Sequence, residues 1–215
     1  MFTSVFANPN LTKSIVEMLF TRNYGYTRKE ITERLHITDG GSLTSILNAL
    51  IASDFVMKYV PFGMSKKMEH YRLVDPFCIF YLRFVKDSNE MNGNYWAQNV
   101  KSQQMVSWRG IAFENLCFNH VKQIKAALGI SGVSTRQSAW SRKGGDAEGV
   151  QIDLLIERND GIINMCEAKY YGDEFVVKKD DYRKILSRQE ALSEIIPKKA
   201  IVHNTLITTF GLADN

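Results

Sequence analysis

The segment GVQIDLLIERNDGIINMCEAKYY, residues 149 to 171, carries Asp153 on one apolar run and Glu167 and Lys169 on the next. Two carboxylates and an ammonium group in such surroundings suit metal-assisted hydrolysis of a phosphodiester. Carboxylate oxygens hold Mg²⁺ or Mn²⁺, and the ion offsets their mutual repulsion. The ion polarises the scissile phosphate and lowers the pKa of an attacking water. A lysine orients that water or stabilises the charge that develops on the phosphate. A further acid, Glu114, stands on SWRGIAFENLCFNHVKQIKAALGI, residues 107 to 130. At 100° per residue, Ile111, Phe113, Cys117, Phe118, Val121, Ile124 and Leu128 fill one apolar arc with Glu114 near its middle. Such a glutamate is either a structural one paired with Lys169 or Arg109, or a member of the same pocket as Asp153, Glu167 and Lys169. Gln151, two residues before Asp153 and on its strand face, is a candidate substrate contact.

These side chains need a sheet to position them. Val150 to Glu157 and Ile162 to Tyr170 read as the strands of a hairpin, with Asn159-Asp160-Gly161 as the turn. Residues i and i+2 share a strand face, so Glu167 and Lys169 are neighbours, and Asn164, Cys166 and Ala168 take the other side. Pairing then allows Asp153 onto the Glu167 face. Around the hairpin lie the helix at 107 to 130 and a strand, GVSTRQSAW, at 132 to 140. A Gly-rich turn, SRKGGDAEG, follows at 141 to 149, then a helix at 180 to 195 and a strand at 198 to 208. The order αβββαβ predicts a mixed sheet flanked by helices over residues 107–215.

Ahead of it, NLTKSIVEMLFTR (10 to 22), TRKEITERL (27 to 35) and GGSLTSILNALIASDF (40 to 55) read as three helices, the second opening on a Thr27/Glu30 capping box. VMKYV, the polar loop PFGMSKKMEH and YRLVD follow as a two-stranded wing, which predicts a winged helix-turn-helix over residues 1–75. Its third helix has no Lys or Arg from Ser42 to Ser53, leaving Ser42, Thr44, Ser45 and Asn48 as donors, while Lys58, Lys66 and Lys67 sit in the wing. Base readout calls for donors on that helix, so a packing or protein-interaction role is favoured. Residues 76–106 read as a helical linker that opens on Pro76, is crowded with aromatics, and runs into a polar stretch at 86 to 99.

The composition, 45% hydrophobic and 23% charged over 215 residues, is that of a soluble globular protein. A net charge of +4 permits contact with polyanions without arguing for it. Cys78, Cys117 and Cys166 lie far apart in apolar surroundings and read as reduced core thiols of a cytoplasmic protein. No Cys or His pair has zinc-ligand spacing, the N-terminus lacks a signal-peptide pattern, and no apolar run approaches the ~20 residues that span a bilayer.

Asp153, then thirteen intervening residues, then Glu167-Ala168-Lys169, all behind a helix bearing Glu114, resembles the PD-(D/E)xK restriction-endonuclease-like superfamily. The resemblance implies an αβββαβ nuclease fold acting on DNA, with Asp153 and Glu167 as ligands of Mg²⁺ or Mn²⁺, Lys169 as a catalytic residue and Glu114 as a supporting acid. Val150-Gln151-Ile152 precedes Asp153, without the proline the motif name records. A wider similarity covers nearly the whole chain. YRLVDPFCIFYLRFV, WRGIAFENLC, the hairpin and the winged helix are similar to the C-terminal half of the archaeal-type AAA+/STAND ATPases of archaea and Bacteroidetes. There a P-loop ATPase domain comes first, which implies an ATPase domain as partner. The chain has no GxxxxGK[ST] and stops at TTFGLADN, where a further strand is expected, so it is expected to be a piece of such an ATPase or a relative without the motor. Two other functions fit: a nuclease-like fold that binds nucleic acid or regulates without cutting, and a protein-interaction domain of a larger ATPase. The complete set Glu114, Asp153, Glu167 and Lys169 favours the enzyme.

Overall fold

The computed structural model describes residues 8–87, 94–142 and 149–213. Most of the Gly-rich turn expected at 141 to 149, and part of the polar stretch at 86 to 99, lie outside the described residues. The fold mixes α and β, with two sheets, one of them mixed. It divides into two compact units, one comprising the chain up to Val60 with Met64–Trp108, the other Pro61–Gly63 with Arg109 onward. No helix among the described residues is long and apolar enough to cross a membrane.

In the first unit, α1 (Pro9–Phe20) starts on Asn8, whose Oδ1 accepts from the Leu11 N–H at 3.2 Å. A two-residue strand β1 (Tyr26–Thr27) leads into α2 (Arg28–Leu35). The capping box is present: the Thr27 N–H donates to Glu30 Oε2 at 2.7 Å and the Glu30 N–H to Thr27 Oγ1 at 3.2 Å, satisfying two helix-end donors. Next come α3 (Gly41–Ala52), β2 (Val56–Tyr59) and β3 (His70–Leu73). The expected two-stranded wing is a three-stranded antiparallel sheet in the order β1-β3-β2, because Tyr26 and Thr27 pair with Tyr71 and His70. Ile15, Val16, Leu19, Ile31, Leu43, Leu47 and Leu50 make its core.

Then α4 (Pro76–Phe80) runs on as a π-helical turn over Tyr81–Val85, followed by α5 (Tyr95–Asn99) and the start of α6 (Gln103–Asn119). Residues 76–106, expected as a linker, group with the first unit. The reason is aromatic: Phe80, Phe84, Trp96 and Trp108 stack at centroid distances of 5.1 to 6.0 Å.

The second unit continues through α7 (Val121–Ala127), β4 (Thr135–Arg142), β5 (Val150–Arg158), β6 (Ile162–Lys169), α8 (Lys179–Ser193) and β7 (Ile201–Thr208). The sheet order is β4-β5-β6-β7; β4, β5 and β6 run antiparallel and β7 returns parallel to β6 after α8. The single long helix expected at 107 to 130 is two, broken at His120, which has φ −113° and ψ 32° and whose Nδ1 lies 2.8 Å from the Leu116 carbonyl. The arc drawn through Ile124 and Leu128 is therefore not continuous, and Leu128 is 39% exposed. Phe62, expected in a polar loop, is buried with Trp140, Ile152, Leu155, Met165, Ile185 and Leu192, and its N–H donates to the Ala139 carbonyl at 2.9 Å.

Candidate functional site

The three-residue turn Asn159-Asp160-Gly161 closes the β5–β6 hairpin, with Gly161 at φ +85°, a conformation glycine adopts without a Cβ clash. From that turn the two strands pair only as far as Leu154 and Cys166. Beyond this point residues 150 to 152 pair with β4 and residues 167 to 169 with β7, so the two central strands part. Asp153 stands on one lip of the opening, and Glu167 and Lys169 on the other.

A bulge shapes the first lip. Between the pairs Ser138–Leu155 and Trp140–Ile152, β5 has one residue more than β4, so Asp153 and Leu154 share the place opposite Ala139. Such an extra residue breaks the alternation and re-aims the side chain. Ile152 and Leu155 accordingly enter the same core cluster although they are three apart. Alternation is interrupted between Ile152 and Leu155, and Asp153 and Glu167 are the first residues past the last pair of the β5–β6 ladder, Leu154–Cys166. Asp153 is half-buried, and Gln151, exposed, donates from Nε2 to its Oδ1 at 2.6 Å. Gln151 thus fixes the carboxylate of Asp153.

On the second lip, Glu167 is clamped by two cations. Lys169 Nζ lies 2.8 Å from Glu167 Oε1, and Arg188 Nη1 donates to Oε2 at 2.6 Å. The Glu167 side chain is 17% exposed, so its charge requires close compensation. Sequence reasoning missed Arg188, although the signal was present. It stands three residues after Ile185 and four before Leu192, both buried, so it is a cation on the inward stripe of α8.

The α6 side differs. Gln137 donates from Nε2 to the Phe118 carbonyl at 3.2 Å, and the rings of Phe113 and Tyr170 meet edge to face at 6.0 Å. Burial pushes the Cys166 thiol up to about 12, with Cys117 adding to the rise. Cys117 is pushed to about 11, first by burial and then by the negative charge of Glu114. Neither thiol ionises near neutral pH, which makes both structural groups rather than nucleophiles. Cys166 and Tyr170 alternate with Glu167 and Lys169, so α6 covers one face of β6 while Arg188 reaches Glu167 on the other. Among the described residues no group of three or more His, Cys, Asp or Glu side chains is placed to hold a metal. Glu114 is half-buried, and its negative charge acts on Cys117.

The donor set across the opening still suits a hard divalent cation in kind. Both candidates are carboxylates, and Mg²⁺ is commonly held by one or two carboxylates with water completing its shell. Glu167 already carries two cations, Lys169 and Arg188, whereas the contact of Asp153 is the neutral amide of Gln151. Compared with known proteins, the chain matches no family model, no curated protein and no solved structure.

Proposed function

We propose that the second unit is a metal-dependent phosphodiesterase acting on DNA, built on the PD-(D/E)xK plan. The observation that supports it best is the parting of the central strands, which sets an acid on one lip and an acid-x-lysine on the other. Asp153 and Glu167 would hold Mg²⁺ or Mn²⁺, which when bound polarises a phosphate and acidifies a water. Gln151 keeps the Asp153 carboxylate aimed. Lys169, beside Glu167, carries an ammonium that stabilises charge developing on phosphate oxygens. Glu114 acts from the α6 side as a supporting charge. Calorimetric titration with Mn²⁺ should show binding that Asp153→Ala removes, and supercoiled plasmid should be nicked. Lys169→Ala should keep binding and lower nicking by about 10² or more. No heat in the wild type, or equal heat in Asp153→Ala, refutes this assignment.

The two cations held on Glu167 favour a second reading, a module that binds nucleic acid or protein through this fold without cutting. A wild type that binds oligonucleotide yet never nicks would select it. For the first unit we propose a winged helix that packs on protein, an ATPase domain in the AAA+/STAND arrangement. Its cations support this: Arg28 pairs with Asp39 at 2.6 Å and Lys58 with Glu69 at 3.4 Å, which reduces the charge offered to phosphates. Substituting Lys66 and Lys67 by Gln should then leave DNA affinity within about twofold, where two lost phosphate contacts would cut it far more and weaken its salt dependence.

A further inference from the structure

We infer that Arg188 is a cationic latch on Glu167, occupying the carboxylate oxygen that a divalent ion needs, so that guanidinium and ion bind Glu167 in competition. The inference rests on the metal-site reading above. Lys169 already neutralises Oε1 from the same strand, two residues along. Arg188 comes from a different element, 21 residues further on, and takes Oε2. Each oxygen of Glu167 thus already faces a cation, so a divalent ion approaching either one meets like charge.

The two cations are not equivalent. A lysine ammonium is a compact charge that can tilt toward a substrate while staying near its strand. The guanidinium of Arg188 is a planar five-donor fork, and among the described residues only its Nη1 is engaged, on this one oxygen. Its stem lies along the inward stripe of α8 between Ile185 and Leu192, so the head group is delivered by a packed helix. Arg188 is 26% exposed and Glu167 17%, which leaves water room to reach the pair and the pair room to open. A divalent ion at Oε2 lies beside the guanidinium and the two cations repel, so the ion weakens the guanidinium's hold and by linkage the guanidinium weakens the ion to the same degree.

The test uses the full chain and Mn²⁺ alone, with free Mn²⁺ read by electron paramagnetic resonance. Arg188→Gln should bind Mn²⁺ about tenfold tighter than wild type, the change that ~1.4 kcal/mol of lost competition produces. Arg188→Lys, which keeps a cation, should stay within about threefold of wild type. Equal affinities in wild type and Arg188→Gln overturn the latch and leave the metal site standing. Absence of Mn²⁺ binding in both proteins overturns the latch and the metal site together. Binding in Arg188→Gln alone supports the latch most strongly. Should Arg188→Gln not fold by thermal melt, the wild type decides. On Mg²⁺ titration the arginine side-chain resonance that Arg188→Lys removes must shift along the binding curve, and a resonance that stays fixed at saturation overturns the proposal.

Discussion

Glu167 with its two cations makes a specific thermodynamic prediction: the loss of either cation is mild, and the loss of both is not. Exposed ion pairs are worth about 0–1 kcal/mol, whereas removing the partner of a buried charge costs about 3–5 kcal/mol. With side-chain exposures of 17% for Glu167, 31% for Lys169 and 26% for Arg188, the cluster lies between these limits. Lys169→Ala leaves Glu167 held by Arg188 and should cost about 1 kcal/mol. Arg188→Ala leaves it held by Lys169 and should cost about 1.5 kcal/mol, the excess coming from the stem buried on α8. The double variant leaves a poorly hydrated carboxylate without a cation and should cost about 4 kcal/mol, so the coupling is roughly 1.5 kcal/mol. Urea unfolding of the full chain measures each value, with amide hydrogen exchange on β5 and β6 confirming that the loss falls in the second unit. In a Glu167→Gln background the coupling should vanish. Additivity within about 0.5 kcal/mol, or a Lys169→Ala cost above about 3 kcal/mol, would refute the shared clamp.

Three further outcomes follow from single positions. Phe62→Ala should cost about 3–4 kcal/mol, read as urea denaturation of the second unit, because Phe62 is 7% exposed in that unit's core. Gly25→Ala should destabilise the first unit by more than about 2 kcal/mol in thermal melts. Gly25 has φ +84° and an added Cβ would overlap the Tyr71 carbonyl, whereas Gly161→Ala, with open space around it, should cost about 1 kcal/mol. Burial holds His70 below its usual 6.5, so the unfolded chain takes up the proton first as pH falls. The stability this contributes is complete above pH 6.5 and is lost as pH drops toward the folded value; His70→Asn should flatten that part of a melting-temperature profile.

Local signals carried much of the architecture. The Asn159-Asp160-Gly161 turn sits where its residue types place it, and the Thr27/Glu30 box starts α2, since each is decided within a few residues. Signals that depend on a partner strand were not legible. The bulge at Asp153 and Leu154 exists only in the register of β5 against β4, so alternation read along β5 alone does not show it. Tyr26 and Thr27 are too short a run to show a period, and pairing with β3 makes them a strand. Phe62 reads as a loop residue because Pro61 and Gly63 flank it and Ser65-Lys66-Lys67 follow, while its burial comes from residues nearly 80 and more positions away. Arg188 was legible by the argument applied to Glu114, a charge on an inward stripe, and that argument served better on α8, which is unbroken, than on α6, which ends at Asn119.

The opening between β5 and β6 follows from these same local breaks. Paired strands at the centre of a sheet satisfy their backbone groups on both sides, so ending a central ladder early leaves N–H and C=O groups facing a gap. Such a gap persists only where something else meets those groups, namely water, side chains or a ligand. Here the bulge turns β5 toward β4 at Asp153, β7 continues to pair with β6 through Lys169, and charged side chains line both lips. Hydrophobic residues at 153, 167 and 169 would favour zipping the hairpin shut. The triple variant Asp153→Val, Glu167→Val, Lys169→Val should accordingly gain hydrogen-exchange protection at residues 151 to 153 and 167 to 169 while losing any Mn²⁺ binding. Protection unchanged in that variant would mean that the backbone, rather than the charges, keeps the strands apart.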